Sequence, residues 1–206
     1  MNIDDFEAPD APDDLIDILG MIFGRQRELM LKYKEIEQLP DPPLSLHHAH
    51  GQRIIRDFAW RSTEELAESF EAYIKWKETG DTVHIHHQIE ELADSLHFIV
   101  ELLIFAGVTH EQCYEQLQNP YIQIDATAEA YWNATYHLGI AMNFLRNKAW
   151  KKSQVPTDEG RFRAQILLAF HHHFVIWLHL NVAPRDMFNY YFRKSEVNKF
   201  RQRSEY

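Results

Sequence analysis

Two short segments of the chain carry the same arrangement of acids. Glu64-Glu65-Leu66-Ala67-Glu68-Ser69 is echoed 26 positions later by Glu90-Glu91-Leu92-Ala93-Asp94-Ser95. Each puts acids three apart, Glu65 with Glu68 and Glu91 with Asp94, and on a helix those positions share a face. If the two helices fold back on each other about a turn centred on Asp81, Glu68 comes level with Asp94 and Glu71 with Glu91. Carboxylates crowded in this way repel unless protonated or neutralised. A divalent cation is the simplest neutraliser. Oxygen donors without thiolates select hard ions, and Mg2+ takes a few carboxylates while keeping water and substrate phosphates as its other ligands. The same pattern also fits the solvated faces of ordinary acidic helices.

Histidines are the competing ligands: His47, His48 and His50, then His84, His86 and His87, then the run His171-His172-His173. Most fall in polar connectors or at helix starts, where loop and capping roles are expected in place of chelation. Asp94 with His97 has the acid-x-x-His spacing of di-iron bundles. The only other such pair is Asp81 with His84, in the expected turn, which leaves a symmetric di-iron core without its second half. Neither GxGxxG nor GxxxxGK[ST] occurs, which removes Rossmann and P-loop mechanisms. Lys194 and Arg201 lie on a basic terminal segment of an acidic chain, placed either to grip phosphates or to keep a helix soluble.

These residues need helices to position them, and the composition supplies little else. Only 7 Gly and 8 Pro occur in 206 residues, and they cut the chain into long segments whose apolar residues recur at three and four. An all-α fold follows, as a single domain of residues 1–206. Helices are expected from Asp13 or Asp14 to about Leu39, from about Ile54 to Glu78, from about His84 to Ala106, and from the Thr109/Gln112 capping box to about Leu117. Gly80 and Gly107 are placed to end the second and third. Beyond Pro120, helices at about 124–149 and 158–181 form an aromatic-rich part that could be a lid or a second sub-bundle, and Pro184 opens a last helix to about Arg203. Lys plus Arg is 21 against 31 Asp plus Glu, a net charge of −10, which disfavours nucleic acid as a partner. The acidic N-terminus, the lone Cys113 and the lack of an apolar run of roughly 20 residues suit a cytoplasmic protein with no membrane partner.

At these residues the chain resembles the all-α nucleoside triphosphate pyrophosphatases, and among them the dimeric dUTPase family with its phage dCTP/dUTP pyrophosphatase relatives. TEELAESFEAYIKWK resembles the family's ExxE segment, with Glu65, Glu68, Glu71, Trp76 and Lys77 in the matching places. EELADSLHF is similar to its ExxD followed by His-Phe, through Glu91, Asp94, His97 and Phe98. KSEVNKFRQ from Lys194, ending at Tyr206, is similar to a C-terminal KNxLNxFRQ block with a Tyr four residues on. The match covers about 22–39, 56–106 and 186–206 and is faint over 119–183, where the family carries a variable, mobile helical part. This implies a rigid catalytic bundle of about 13–118 plus 184–206. Ser195 stands where the family has Asn, Arg203-Ser204-Glu205 replaces Asp-His-Gly, and the Asn expected soon after Gln26 is not evident.

The resemblance implies hydrolysis of a deoxynucleoside triphosphate, dUTP with dCTP as the additional or alternative substrate, to the monophosphate and pyrophosphate by a homodimer. Glu65, Glu68, Glu91 and Asp94 would hold two or three Mg2+ ions, Glu65 would take the proton of the attacking water, and Lys194 and Arg201 would act on the phosphates. Gln26, Trp76, Lys77, His97, Asn198 and Tyr206 are the implied further contacts to base, sugar and phosphate. A broad-specificity nucleoside triphosphate pyrophosphatase, or a helical binding protein that has lost activity, are the alternatives. The terminal block is expected to close on the substrate and not to stand preformed.

Overall fold

A computed structural model of the protein describes residues 3–119, 126–146 and 155–203, with the side chains of Asp4, Glu35 and 201–203 outside the description. Among the described residues there are seven α-helices and no strand: α1 (Leu15–Glu37), α2 (Ala49–Thr79), α3 (Val83–Phe105), α4 (His110–Leu117), α5 (Thr127–Phe144), α6 (Glu159–His179) and α7 (Pro184–Arg203), preceded by a short turn of 3-10 helix at Ile3–Asp5.

The helix boundaries follow local chemistry. Asp14 precedes α1 in extended conformation, and Gln38 ends it in the left-handed region, its N–H donating to the Lys34 carbonyl before Pro40. Gly80 ends α2 at φ +72°, a conformation with little cost only for glycine, and its N–H donates to Trp76 O at 2.8 Å. Thr109 and Gln112 form the expected capping box of α4. The clearest departure is the start of α2, five residues earlier than the periodicity predicts. Gly51 explains it: a Cβ there would fall 2.5 Å from the Ser45 carbonyl, so only glycine lets the first turn lie against Leu44–Leu46. Buried Gln52 then donates to Leu46 O at 2.7 Å and to Thr157 Oγ1 at 2.9 Å, tying that turn to the segment before α6.

Two antiparallel hairpins, α2 with α3 and α5 with α6, pack the most extensively, and α1, α4 and α7 close around α3 and α6. One hydrophobic core runs through them, with Phe23, Phe58, Phe105, Phe162, Trp177 and Tyr191 essentially fully buried. Truncating any of these Phe or Trp residues to Ala would cost about 3–5 kcal/mol. The described parts of 119–183 share this core through α2, α3 and α4. His171, His172 and His173 lie inside α6 and are buried, so they are neither connector nor cap.

Candidate active site

The α2/α3 hairpin is held by small residues that let the helices approach closely. Ser62 Oγ meets Ser95 Oγ at 3.1 Å, Ser95 Oγ lies 3.1 Å from the Ser62 carbonyl, and Ser69 Oγ donates to Gln88 O at 2.9 Å. These cross-pairs centre the hairpin between residues 78 and 79 and not on Asp81. The expected level pairs, Glu68 with Asp94 and Glu71 with Glu91, are therefore replaced. It is Glu65 that sits across from Glu91 and Asp94, and the three offer carboxylate oxygens all within 4.8 Å of one another. Glu68 and Glu71 are exposed beyond this cluster.

Crowding has the expected electrostatic result. Burial, then the charges of Asp94, Glu91 and Glu68, push the Glu65 carboxyl up to about 8, and in its protonated form Glu65 hydrogen-bonds Glu91. A lysine and an imidazole lie against the cluster. Lys194, 8% exposed on α7, places Nζ 2.8 Å from Asp94 Oδ2, and His87 Nδ1 lies 3.2 Å from Glu91 Oε1. Lys194 is set there by α7 packing on α1 and α3, with Tyr191 and Val197 buried. The expectation that the terminal block stands open is therefore not met over 184–200. Ser195 helps fix it, since Arg25 of α1 donates from Nε to Ser195 Oγ at 2.6 Å and also pairs with Glu196.

A cleft of about 210 Å³ opens from Glu65 and Asp94 and continues between α1, α2, α3 and α7. Gln26, His97 and Asn198, three of the residues that the resemblance implies as substrate contacts, line it. Its far end contains three ionisable side chains that the sequence patterns did not single out: Glu37 and Arg61, joined by two hydrogen bonds of 2.8 and 3.2 Å, and Glu101. The signal for Glu101 was present, a single carboxyl in the otherwise apolar run Phe98–Phe105. Trp76 and Lys77 are not brought to the cleft. They lie three turns down α2 from Glu65, with Lys77 Nζ over the Trp76 ring at 5.6 Å. The side chain of Arg201 and the whole of Tyr206 lie outside the described residues.

Behind the cleft is a buried polar chain. Gln26, 2% exposed, reaches Glu101 Oε2 at 3.0 Å, His97 Nδ1 at 2.9 Å and Tyr191 OH at 2.6 Å, and His97 Nε2 faces the Tyr191 carbonyl at 3.2 Å. Burial, with Lys194 and Arg25 nearby, pushes His97 down to about 3, so its ring is neutral and carries one N–H. That proton belongs on Nε2, because the Tyr191 carbonyl can only accept. Nδ1 must then accept, which requires the Gln26 amide to be turned about from its orientation in the structure, where its NH2 faces Glu101 and its oxygen faces His97 and Tyr191, so that the NH2 faces Nδ1 and the oxygen faces Glu101. Glu101 must in turn donate, so it is protonated. Burial, then the Glu37 charge, push it up to about 8 against the nearby Arg61 and a Gln26 amide that donates to it, and turning the amide removes the second opposition. In this arrangement the Tyr191 hydroxyl accepts from Gln26 and donates to the Ile22 carbonyl at 3.4 Å. Every polar atom of the chain then has a consistent role.

The arrangement is a carboxylate cluster with a buried lysine at the mouth of a polar cleft, carried on an ExxE/ExxD helix hairpin. The profile of the dUTPase family matches residues 60–206, and the chain belongs to that all-α family, whose activity is hydrolysis of dUTP. Neither a search of curated proteins nor one of solved structures returned a match. No single helix among the described residues is long and apolar enough to cross a membrane.

Proposed function

We propose that the protein hydrolyses dUTP, and dCTP as a second substrate, to the nucleoside monophosphate and pyrophosphate with Mg2+. The observation that carries this reading is the Glu65, Glu91 and Asp94 cluster at the mouth of a polar cleft. The donor set fits a hard cation: all ligand atoms are carboxylate oxygens, and without a cation burial and then the neighbouring carboxylates favour a proton on Glu65. Glu65, Glu91 and Asp94 would hold the ion, and Glu68, one turn along α2 from Glu65, is the fourth donor we assign to a site of two or three ions. Bound there, Mg2+ supplies charge stabilisation to the phosphates and acidifies a coordinated water.

The chain's own residues do the rest. Glu65 is assigned the proton of the attacking water. Lys194 exchanges its contact with Asp94 for a phosphate oxygen, and Arg201, on the same helix, is assigned a second phosphate. Gln26, His97 and Asn198 position the nucleoside, with His97 neutral and held by the Tyr191 ring stacked at 4.0 Å between centroids. We further propose a homodimer in a cytoplasmic setting. Trp60 and Trp132, 62% and 68% exposed, border two adjoining apolar grooves between α2 and α5 that a second copy of the chain would cover. Pyrophosphate release from a panel of deoxynucleoside triphosphates with and without Mg2+ tests the reading. dUTP and dCTP should be cleaved and dATP and dGTP should not. Equal turnover of all four would replace it with a broad-specificity pyrophosphatase.

A further inference from the structure

We infer that Glu101 reads the base: one oxygen of its carboxyl, anchored through the other to Gln26, accepts an N–H from the Watson–Crick edge of a pyrimidine seated at the far end of the cleft. The inference rests on the nucleotide hydrolase reading above and concerns a residue that the acidic motifs do not include.

Placement is the first argument. Glu101 lies seven residues beyond Asp94 on α3, two turns or about 10 Å along the helix. With phosphates at the carboxylate cluster and Lys194, the sugar spans the middle of the cleft and the base arrives at Glu101. Tyr33, Leu29 and Phe98 provide apolar surface at this end.

Chemistry is the second. Carboxyls are rarely buried without a reason, and Glu101 is 5% exposed. It faces Gln26 and Glu37 from α1, Arg61 from α2, His97 from its own helix and Tyr191 from α7. Arg61 is already committed to Glu37 by two hydrogen bonds, so it does not neutralise Glu101 by a direct pair. Instead Gln26 takes Oε2, and Oε1 is left for the cleft. With the proton directed at the Gln26 amide oxygen, Oε1 is a carbonyl-type acceptor. Its partner is the imide N3–H of uracil or the exocyclic amine of cytosine, so a single residue accommodates both bases. The raised affinity of Glu101 for its proton agrees with this state near neutral pH.

An amide at this position would reproduce the protonated acid, since its NH2 donates to Gln26 and its oxygen faces the cleft. The test compares steady-state hydrolysis of dUTP and dCTP by wild type, Glu101→Gln and Glu101→Ala, with inhibition by inorganic pyrophosphate as a base-independent measure of the phosphate site. Glu101→Ala should raise KM for both substrates about 10- to 100-fold with kcat within about threefold, the loss of one hydrogen bond in a dry site. Glu101→Gln should stay within about threefold of wild type, and pyrophosphate inhibition should be unchanged in both. If Glu101→Ala does not fold, Glu101→Asp, which withdraws the acceptor by one methylene, should raise KM in the same way. An unchanged KM in the Ala or Asp variant overturns the inference while leaving the hydrolase reading intact. So does an equal loss of substrate and pyrophosphate affinity, which would mean the whole site had collapsed. Absence of turnover in the wild type would instead remove the reading on which it rests.

Discussion

Replacing Glu65 by Gln should make the metal-free protein more stable while removing its activity. In the folded state Glu65 is raised from 4.5 to about 8, chiefly by burial and then by Asp94, Glu91 and Glu68. Folded protein therefore holds a proton that the unfolded chain releases above about pH 4.5, so this group lowers stability progressively as pH rises from there to about 8. The full shift would correspond to a ceiling of about 5 kcal/mol at 1.36 kcal/mol per unit. The side chain is only half-buried, and solvent screening reduces the effect to about 1–2 kcal/mol. Glutamine keeps the hydrogen bond to Glu91 and removes the titration. For a chain of this length, the gain at pH 8 is about 3–6 °C in Tm, shrinking towards zero at pH 5. Thermal melts in chelator across that range measure it, and repeating them with Mg2+ should raise the wild-type Tm more than that of the variant. A Glu65→Gln variant that melts at or below the wild type at pH 8 in chelator would refute the crowding argument.

Asp94→Asn should behave in the opposite sense in the same melts, losing about 2–4 kcal/mol, because Asp94 neutralises a nearly buried Lys194 that asparagine would leave unpaired. Glu68→Gln, at an exposed position, should leave Tm within about 1 °C yet lower kcat at least tenfold, which Mg2+ titration of activity would register as weakened metal use. Lys194→Met, close in length and uncharged, should lower kcat/KM for dUTP about 100-fold while the apolar stem keeps α7 packed, as its near-UV circular dichroism would show. Light scattering at micromolar concentration should give the dimer mass, and Trp60→Glu with Trp132→Glu should give the monomer.

Much of the fold was legible because helix signals are local. Gly80, the Thr109/Gln112 box and Pro184 mark their boundaries by short-range chemistry, and the structure places each within a residue or two of expectation. The start of α2 was not, since Gly51 reads as a helix breaker until the Ser45 carbonyl packed against it is known. The acidic pairs were visible by spacing, but their register was not. A shift of two to three positions in the hairpin, set by Ser62, Ser69 and Ser95, decides whether Glu65 or Glu68 meets Asp94. Glu37, Arg61 and Glu101 were missed because their meeting requires α1, α2 and α3 to pack together, which no pattern within one helix records. Ser195, a departure from the family's Asn, proved to be a structural contact for Arg25.

The central claim is that the Glu65, Glu91 and Asp94 cluster serves cleavage of a nucleoside triphosphate between its first and second phosphates. Chromatography of the products of dUTP incubated with the protein and Mg2+ tests it most directly. dUMP and pyrophosphate should form in equal amounts, and chelator or Glu91→Gln should abolish both. Formation of dUDP and orthophosphate, or turnover that persists in chelator, would contradict it.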